Sequence, residues 1–434
     1  MKLKEILLKQ IASMTLISLL AVSACACSSS NKSEIDLSVS QDSSIENSVT
    51  EDSYEENSYE EVSQDTNEDT YVEDSDTTIS NDTSTEGIPA DWLDNGIFSD
   101  YYSVAYARMQ AMTLDEKIGQ MLFARCPTEN AAEIAGKYHL GGYVLFSENL
   151  EGKNTEDIKD AIISYKAAQE IPISIATDEE GGTVTRVSSN ALLSSEKFLS
   201  PRDIYNNGGM DLIKSEETKK AELLSLLYID TNFAPVCDIS TNESDFMYYR
   251  SLGQDAQTTA DFVSTVTEIS QSNGVSATLK HFPGYGNNVD THTGIAVDNR
   301  DYDTFVNNDF IPFEAGIASG AHLVMVSHNI VNCMDSTKPA SISEDVHNIL
   351  RNELGFTGII VTDDLSMDAI SQYSGDYPPT VTAVLAGNDM LTISDIDTSF
   401  NEIKAAVNNG TIDQSLIDHA VTRILAWKYA KGFM

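Results

Sequence analysis

The stretch GFTGIIVTDD, residues 355–364, decides the fold. After Gly358 come four β-branched residues, Ile359, Ile360, Val361 and Thr362, and two carboxylates follow at once. A short apolar run of this kind, opened by a turn residue, reads as a strand buried on both faces. Similar runs lie at 121–124, 142–146, 171–176, 231–236, 277–279, 323–326 and 389–393. Helical patterns separate most of them, as at 154–170, 257–273 and 343–354, and residues 412–431 make a closing helix. Strands alternating with helices imply a parallel sheet with crossovers. Eight such strands within about 300 residues predict a single α/β domain, a (β/α)8 barrel of the TIM type, over residues 88–434.

A barrel gathers its chemistry at the C-terminal ends of its strands. Those ends are expected to carry Asp178-Glu179-Glu180, Arg250 shortly after Asp238, Lys280-His281, His328, Asp363-Asp364 and Asn388-Asp389. Packing alone does not put polar residues at strand end after strand end. Carboxylates around a barrel mouth point to glycosyl or phosphoryl chemistry. Gly181-Gly182 and Gly284-Tyr285-Gly286 lack the spacing and context of a nucleotide-binding loop.

The 434 residues hold 26 Lys and Arg against 68 Asp and Glu, a net charge of −42. Neutralising phosphates takes clustered cations, so a nucleic-acid partner is not expected. Residues 28–87 contain 18 acidic side chains and one basic one, Lys32, with no apolar periodicity. Such a segment buries too little surface to offset its ordering entropy and is read as a disordered tether. Ahead of it, Lys2, Lys4 and Lys9 precede a largely apolar run, 11–22, too short to span a bilayer. Val22-Ser23-Ala24-Cys25 then resembles the bacterial lipobox, in which the Cys is acylated and becomes the mature N-terminus. Cys27 competes with a poorer match, and an ordinary secretory signal is the plainer alternative. The expected layout is a lipoprotein signal peptide over 1–24, an anchored tether over 25–87 and a catalytic barrel over 88–434. That places the protein outside the cytoplasm, held on the membrane by lipid at Cys25. Cys126, Cys237 and Cys333 show neither a disulfide framework nor a metal-binding spacing, and the first two read as buried thiols.

The motifs DEEGGTVTR (178–186), YRSLGQD (249–255), KHFPGYG (280–286), VDTH (289–292) and VTDDLSM (361–367) occur in that order. With MTLDEKIGQM (112–121) and AGNDMLTI (386–393) they resemble the motif series of glycoside hydrolase family 3. The likeness is closest to its single-domain bacterial β-N-acetylglucosaminidases. The resemblance implies a retaining exo-hydrolase that removes terminal β-linked N-acetylglucosamine, with no cofactor and no metal. It also implies that Asp178 accepts hydrogen bonds from sugar hydroxyls while Arg186, Arg250, Lys280 and His281 complete the pocket.

A retaining glycosidase needs a carboxylate under the anomeric carbon and a proton donor for the leaving oxygen. Asp363 is delivered by its strand to the barrel mouth and matches the family's nucleophile; Asp364 should point the other way. Both could instead cap the following helix. For the acid/base, single-domain members use a His on a loop paired with an Asp two residues earlier, which Asp290-Thr291-His292 fits. An imidazole titrating near about 6.5 can protonate the leaving oxygen and then activate water. Asp290 would fix its tautomer, as the Asp does in a Ser-His-Asp triad.

Blander readings stand beside these: Asp178 and Arg186 as a structural ion pair, and His281 as a satisfied core histidine. A zinc site at His281, Asp290 and His292 is disfavoured by ligands spread over a loop. Tyr285 departs from the family's Lys-His-Phe-Pro-Gly-His-Gly, and residues 373–379 have no place in its pattern. The rival functions are a phosphorylase of the same family and a non-catalytic sugar-binding lipoprotein. The expected partners are a carbohydrate and the membrane, and the expected state is a monomer.

Overall fold

The computed structural model describes residues 85–288, 296–366, 370 and 372–434. The expected leader, Cys25 and most of the tether lie outside them, as do Asp290 and His292. Eight parallel strands form one sheet: β1 Leu122–Arg125, β2 Gly142–Leu145, β3 Ser174–Thr177, β4 Thr231–Asn232, β5 Ser276–Phe282, β6 Leu323–Val326, β7 Ile359–Thr362 and β8 Leu391–Ile393. Their order is β8-β1-β2-β3-β4-β5-β6-β7. The barrel closes between β7 and β8, where Thr362 N donates to Met390 O at 3.2 Å and Thr392 N to Thr362 Oγ1 at 3.0 Å. All eight strands predicted from the sequence are present. Almost every strand residue is buried, as an all-parallel sheet covered on both faces requires.

Local sequence sets the helices. Asp255 caps the helix Ala256–Ser272 by accepting from Thr258 N at 2.9 Å. That helix lays Phe262, Val263 and Val266 into one apolar cluster with Leu279 of β5 and Phe313. The closing helix Gln414–Ala430 buries Ile417, Val421, Ile424, Leu425 and Trp427. Trp427 Nε1 donates to Ser276 Oγ at 3.3 Å, tying that helix to the start of β5. Cys126 and Cys237 are buried free thiols, as expected, and burial pushes Cys126 up to about 12.

One placement is corrected. Asn388-Asp389 was expected at a strand's C-terminal end, but it precedes β8 and sits at the opposite, N-terminal end of the barrel. Asp389 is a structural anion: it pairs with Arg351 at 2.6 Å and Arg423 at 2.5 Å and accepts from Ile360 N at 2.8 Å. Polar residues flank a buried strand at either end, so the end they mark is decided by where the strand starts.

Two half-buried histidines, His322 and His419, give the fold a signed pH dependence. Burial takes His322, whose Nδ1 lies 2.9 Å from Ser276 Oγ, down to about 3. Burial and the charge of Arg423 take His419, stacked on Trp92 at 4.8 Å, down to about 4. In the unfolded chain both titrate near about 6.5. Between those values the unfolded state binds more protons, so their contribution is complete above pH 6.5 and is lost on acidification. The thermal midpoint should fall from pH 7 to pH 4, and less steeply in the double variant His322→Gln/His419→Gln. An identical slope in both proteins would contradict this assignment.

Candidate active site

The chain leaves β3 as Asp178-Glu179-Glu180, and the three carboxylates have separate roles. Residues two apart share a side, so Asp178 and Glu180 turn together and Glu179 turns away. Glu179 accepts from Arg186 N and Val187 N, both at 2.7 Å, and fixes the loop that follows. Gly181 makes the turn at φ 105°; a Cβ there would stand 2.1 Å from Leu199 O, so no other residue fits.

Glu180 is the hub. Its carboxylate takes a two-pronged contact from Arg250, Nε to Oε2 at 2.9 Å and Nη2 to Oε1 at 2.7 Å, and Lys280 Nζ lies 2.6 Å from Oε1. Lys280 also reaches Asp178 Oδ1 at 2.7 Å. Burial pushes the Glu180 carboxyl upward, but Arg250 and Lys280 outweigh it and hold it well below the usual carboxylate range. Burial alone would lower Lys280; Asp178 and Glu180 reverse that and raise it. Glu180 and Lys280 therefore stay ionised around neutral pH. The Asp178 side chain keeps 18% of its surface exposed against 1% for Glu180, so Asp178 is the carboxylate a ligand can meet.

His281 joins the same network. Its Nε2 lies 3.2 Å from Arg250 Nη2 and its Nδ1 2.8 Å from Asp238 Oδ2. Asp238 also accepts from His281 N at 3.1 Å and Tyr285 N at 2.7 Å, gripping the 280–286 loop at both ends. The Lys280–His281 peptide within it is cis. Tyr285, the departure from the family pattern, is buried edge-on to His281 at 5.3 Å and packs with Phe246, Val236 and Met247. Its role is to back the His281 ring.

Around the rim, Asp363 follows β7, its N donating to Val326 O at 3.0 Å and its Oδ1 accepting from Asp364 N at 2.8 Å. Asp364 shapes the turn: its Oδ1 accepts from Ser366 N at 2.9 Å and its Oδ2 from Ser394 Oγ at 3.2 Å. His328, after β6, has Nε2 2.9 Å from Asp364 O and Nδ1 2.7 Å from Ser341 Oγ, bracing that turn from below.

Asp178, Arg250, Lys280 and His281 thus form one connected network, and Asp363 stands on the same rim. Arg186 does not pair with Asp178, whose partner is Lys280; its guanidinium stands 5.6 Å from the centre of the Phe146 ring. Asp290 and His292 lie outside the described residues. The chain on either side of them is anchored: Asn288 Nδ2 donates to Asp298 Oδ2 at 2.9 Å, and Arg300 bonds Asp298, Asp309 and the carbonyl of Gly284. Among the described residues no group of three His, Cys, Asp or Glu side chains is placed to hold a metal ion.

Residues 113–427 match the family described as glycosyl hydrolase family 3 N terminal domain. The chain belongs to glycosyl hydrolase family 3. This family 3 hydrolase is 30% identical over 285 residues to a beta-hexosaminidase of Nitrosomonas eutropha, covering 64% of this chain and 81% of that one. It is 27% identical over 328 residues to the beta-hexosaminidase LpqI of Mycobacterium tuberculosis, covering 72% and 82%. Its structure is similar to that of a family 3 β-N-acetylglucosaminidase from a Paenibacillus species, with TM-score 0.68 and 29% identity. That match covers 74% of this chain and 63% of the other.

The sequence put Glu180 and Asp238 near strand ends but gave neither a role in the site. The usable signal was the two-residue spacing of Glu180 from Asp178 on a strand end. Removing one partner of a buried ion pair costs about 3–5 kcal/mol because the other charge stays buried. Glu180→Gln should therefore lower unfolding free energy by roughly that amount, whereas Asp178→Asn should cost clearly less. Denaturant titration of the two variants decides, and equal losses would contradict the division of roles.

Proposed function

We propose that this family 3 hydrolase is a retaining exo-β-N-acetylglucosaminidase acting on cell-wall fragments or chitin-type oligosaccharides. One arrangement carries the reading: a carboxylate, Asp363, at the end of β7, on the same rim as a pocket-facing Asp178 held by Lys280. The relatives named beta-hexosaminidase and β-N-acetylglucosaminidase favour the N-acetyl sugar. Asp178, Arg250, Lys280 and His281 hold the hydroxyls of the terminal sugar, and Arg186 completes the pocket. Asp363 attacks the anomeric carbon as His292 passes its proton to the leaving oxygen, giving a covalent glycosyl-enzyme and a free aglycone. The neutral imidazole then takes a proton from water, whose oxygen displaces Asp363 and releases the sugar with its β-configuration. Asp290 orients His292 and favours its imidazolium.

Hydrolysis of 4-nitrophenyl N-acetyl-β-glucosaminide should far exceed that of the matching β-glucoside, and added phosphate should not stimulate it. A phosphate-dependent sugar phosphate would instead mark a phosphorylase. Asp363→Ala should lower kcat on the order of 10⁴-fold with the thermal midpoint retained. His292→Ala should cost most on poor leaving groups, which need the proton, and least on nitrophenol. Full activity in either variant rules the assignment out.

The Val22-Ser23-Ala24-Cys25 run supports anchoring of the enzyme outside the cytoplasm by an acylated Cys25, the acidic segment 25–87 serving as a spacer. Cys25→Ser should move the protein from the membrane fraction to the soluble one. Unchanged fractionation would count against the anchor.

A further inference from the structure

Asp238 grips the 280–286 loop, and it also decides which nitrogen of His281 carries hydrogen. It lies on the chain leaving β4, where Cys237 N donates to Lys280 O at 2.6 Å. That bond sets the two segments side by side, with Asp238 against His281. Both side chains are buried. Two N–H groups of His281 converge on Oδ2, the backbone N at 3.1 Å and Nδ1 at 2.8 Å, while Tyr285 N meets Oδ1 at 2.7 Å. A carboxylate bonded in this way only accepts, so the imidazole carries its hydrogen on Nδ1.

The far edge of the ring demands the same form independently. Nε2 lies 3.2 Å from Arg250 Nη2. A guanidinium only donates, so Nε2 must present its lone pair. Asp238 on one side and Arg250 on the other therefore select one tautomer, hydrogen on Nδ1 and none on Nε2.

We propose that Asp238 is a positioning residue for sugar binding: it holds His281 in the Nδ1–H form, and that form keeps Arg250 in place for the ligand. The proposal rests on the functional reading above. The hydrogens of Arg250 show what is at stake. Those on Nε and Nη2 are taken by Glu180 and His281, and Nη1 donates to Met247 Sδ at 3.6 Å. Among the described residues the second Nη1 hydrogen has no acceptor, so it is the one a sugar hydroxyl can receive. In the opposite tautomer Nε2–H would face an N–H of Nη2. Two donors would then meet across 3.2 Å, and the guanidinium would turn from its place.

The first test uses the wild-type full chain, isotope-labelled at its histidine nitrogens. A ring nitrogen that bears hydrogen resonates far from a bare one, and the pair is assigned through the ring carbons to the His281 backbone. Hydrogen on Nδ1 with Nε2 bare is expected at neutral pH. Hydrogen on Nε2, or on both nitrogens, overturns the proposal. The second test is a double-mutant cycle on the binding of N-acetylglucosamine, measured by calorimetry for wild type, Asp238→Ala, Arg250→Ala and the double variant. Asp238→Ala should weaken binding about tenfold when Arg250 is present and by no more than about twofold when it is absent, because a residue acting through another loses its effect with that partner. Equal losses in the two backgrounds, the outcome of a merely structural role, overturn the proposal. The spectrum needs no variant, so it decides even where Asp238→Ala does not fold. A wild-type protein that binds no N-acetylglucosamine would reject the functional reading, whereas the tautomer bears on Asp238 alone.

Discussion

Everything at the barrel mouth depends on one buried carboxylate. Glu180 is removed from water, which is costly for an ion unless its partners replace the lost hydration. Arg250 and Lys280 do so from the β4 connection and from β5, so a single anion joins three successive sectors of the barrel. The cations lose their freedom in the process. Arg250 is aimed at His281 as well, and Lys280 at Asp178, so the surface a ligand meets is set before any ligand arrives. Pre-organised charge of this kind needs no rearrangement during a reaction.

The same chemistry closes the opposite end of the barrel and has a different consequence there. Asp389 is held between Arg351 and Arg423, and Lys428 donates to Gln120 Oε1 and to the carbonyl of Pro172. Each of these side chains has a partner inside the protein. At the mouth, by contrast, Asp178 and Asp363 are each partly exposed. A sealed set of buried charges stabilises architecture; a set with one open carboxylate can also recognise something.

Much of this was legible in the sequence. Eight β-branched or apolar runs fixed the strand count, because strands buried on both faces cannot hide among polar residues. Asp178, Arg250, Lys280 and His281 were found by their places after or within those runs, and the structure joins them in one network. What the sequence did not show was contact across the chain. Glu180 meets Arg250 seventy residues later and Lys280 a hundred residues later, and local spacing, which puts it on the side of Asp178, does not reveal those partners. Asp238 holds His281 from forty-three residues away for the same reason. Asp389 was placed at the wrong end because a polar residue beside a strand looks alike before and after it. Tyr285 read only as a departure from a pattern until its ring was found packed on His281.

The proposed chemistry turns on Asp363 attacking the anomeric carbon. The most direct measurement traps that bond: the enzyme is incubated with a 5-fluoro N-acetylglucosaminyl fluoride, which forms the glycosyl-enzyme and releases it slowly. Digestion and tandem mass spectrometry then locate the added sugar. A single label on the Asp363 carboxylate is expected. A label on Asp364 or another carboxylate, or an enzyme that turns over without ever acquiring one, would contradict it.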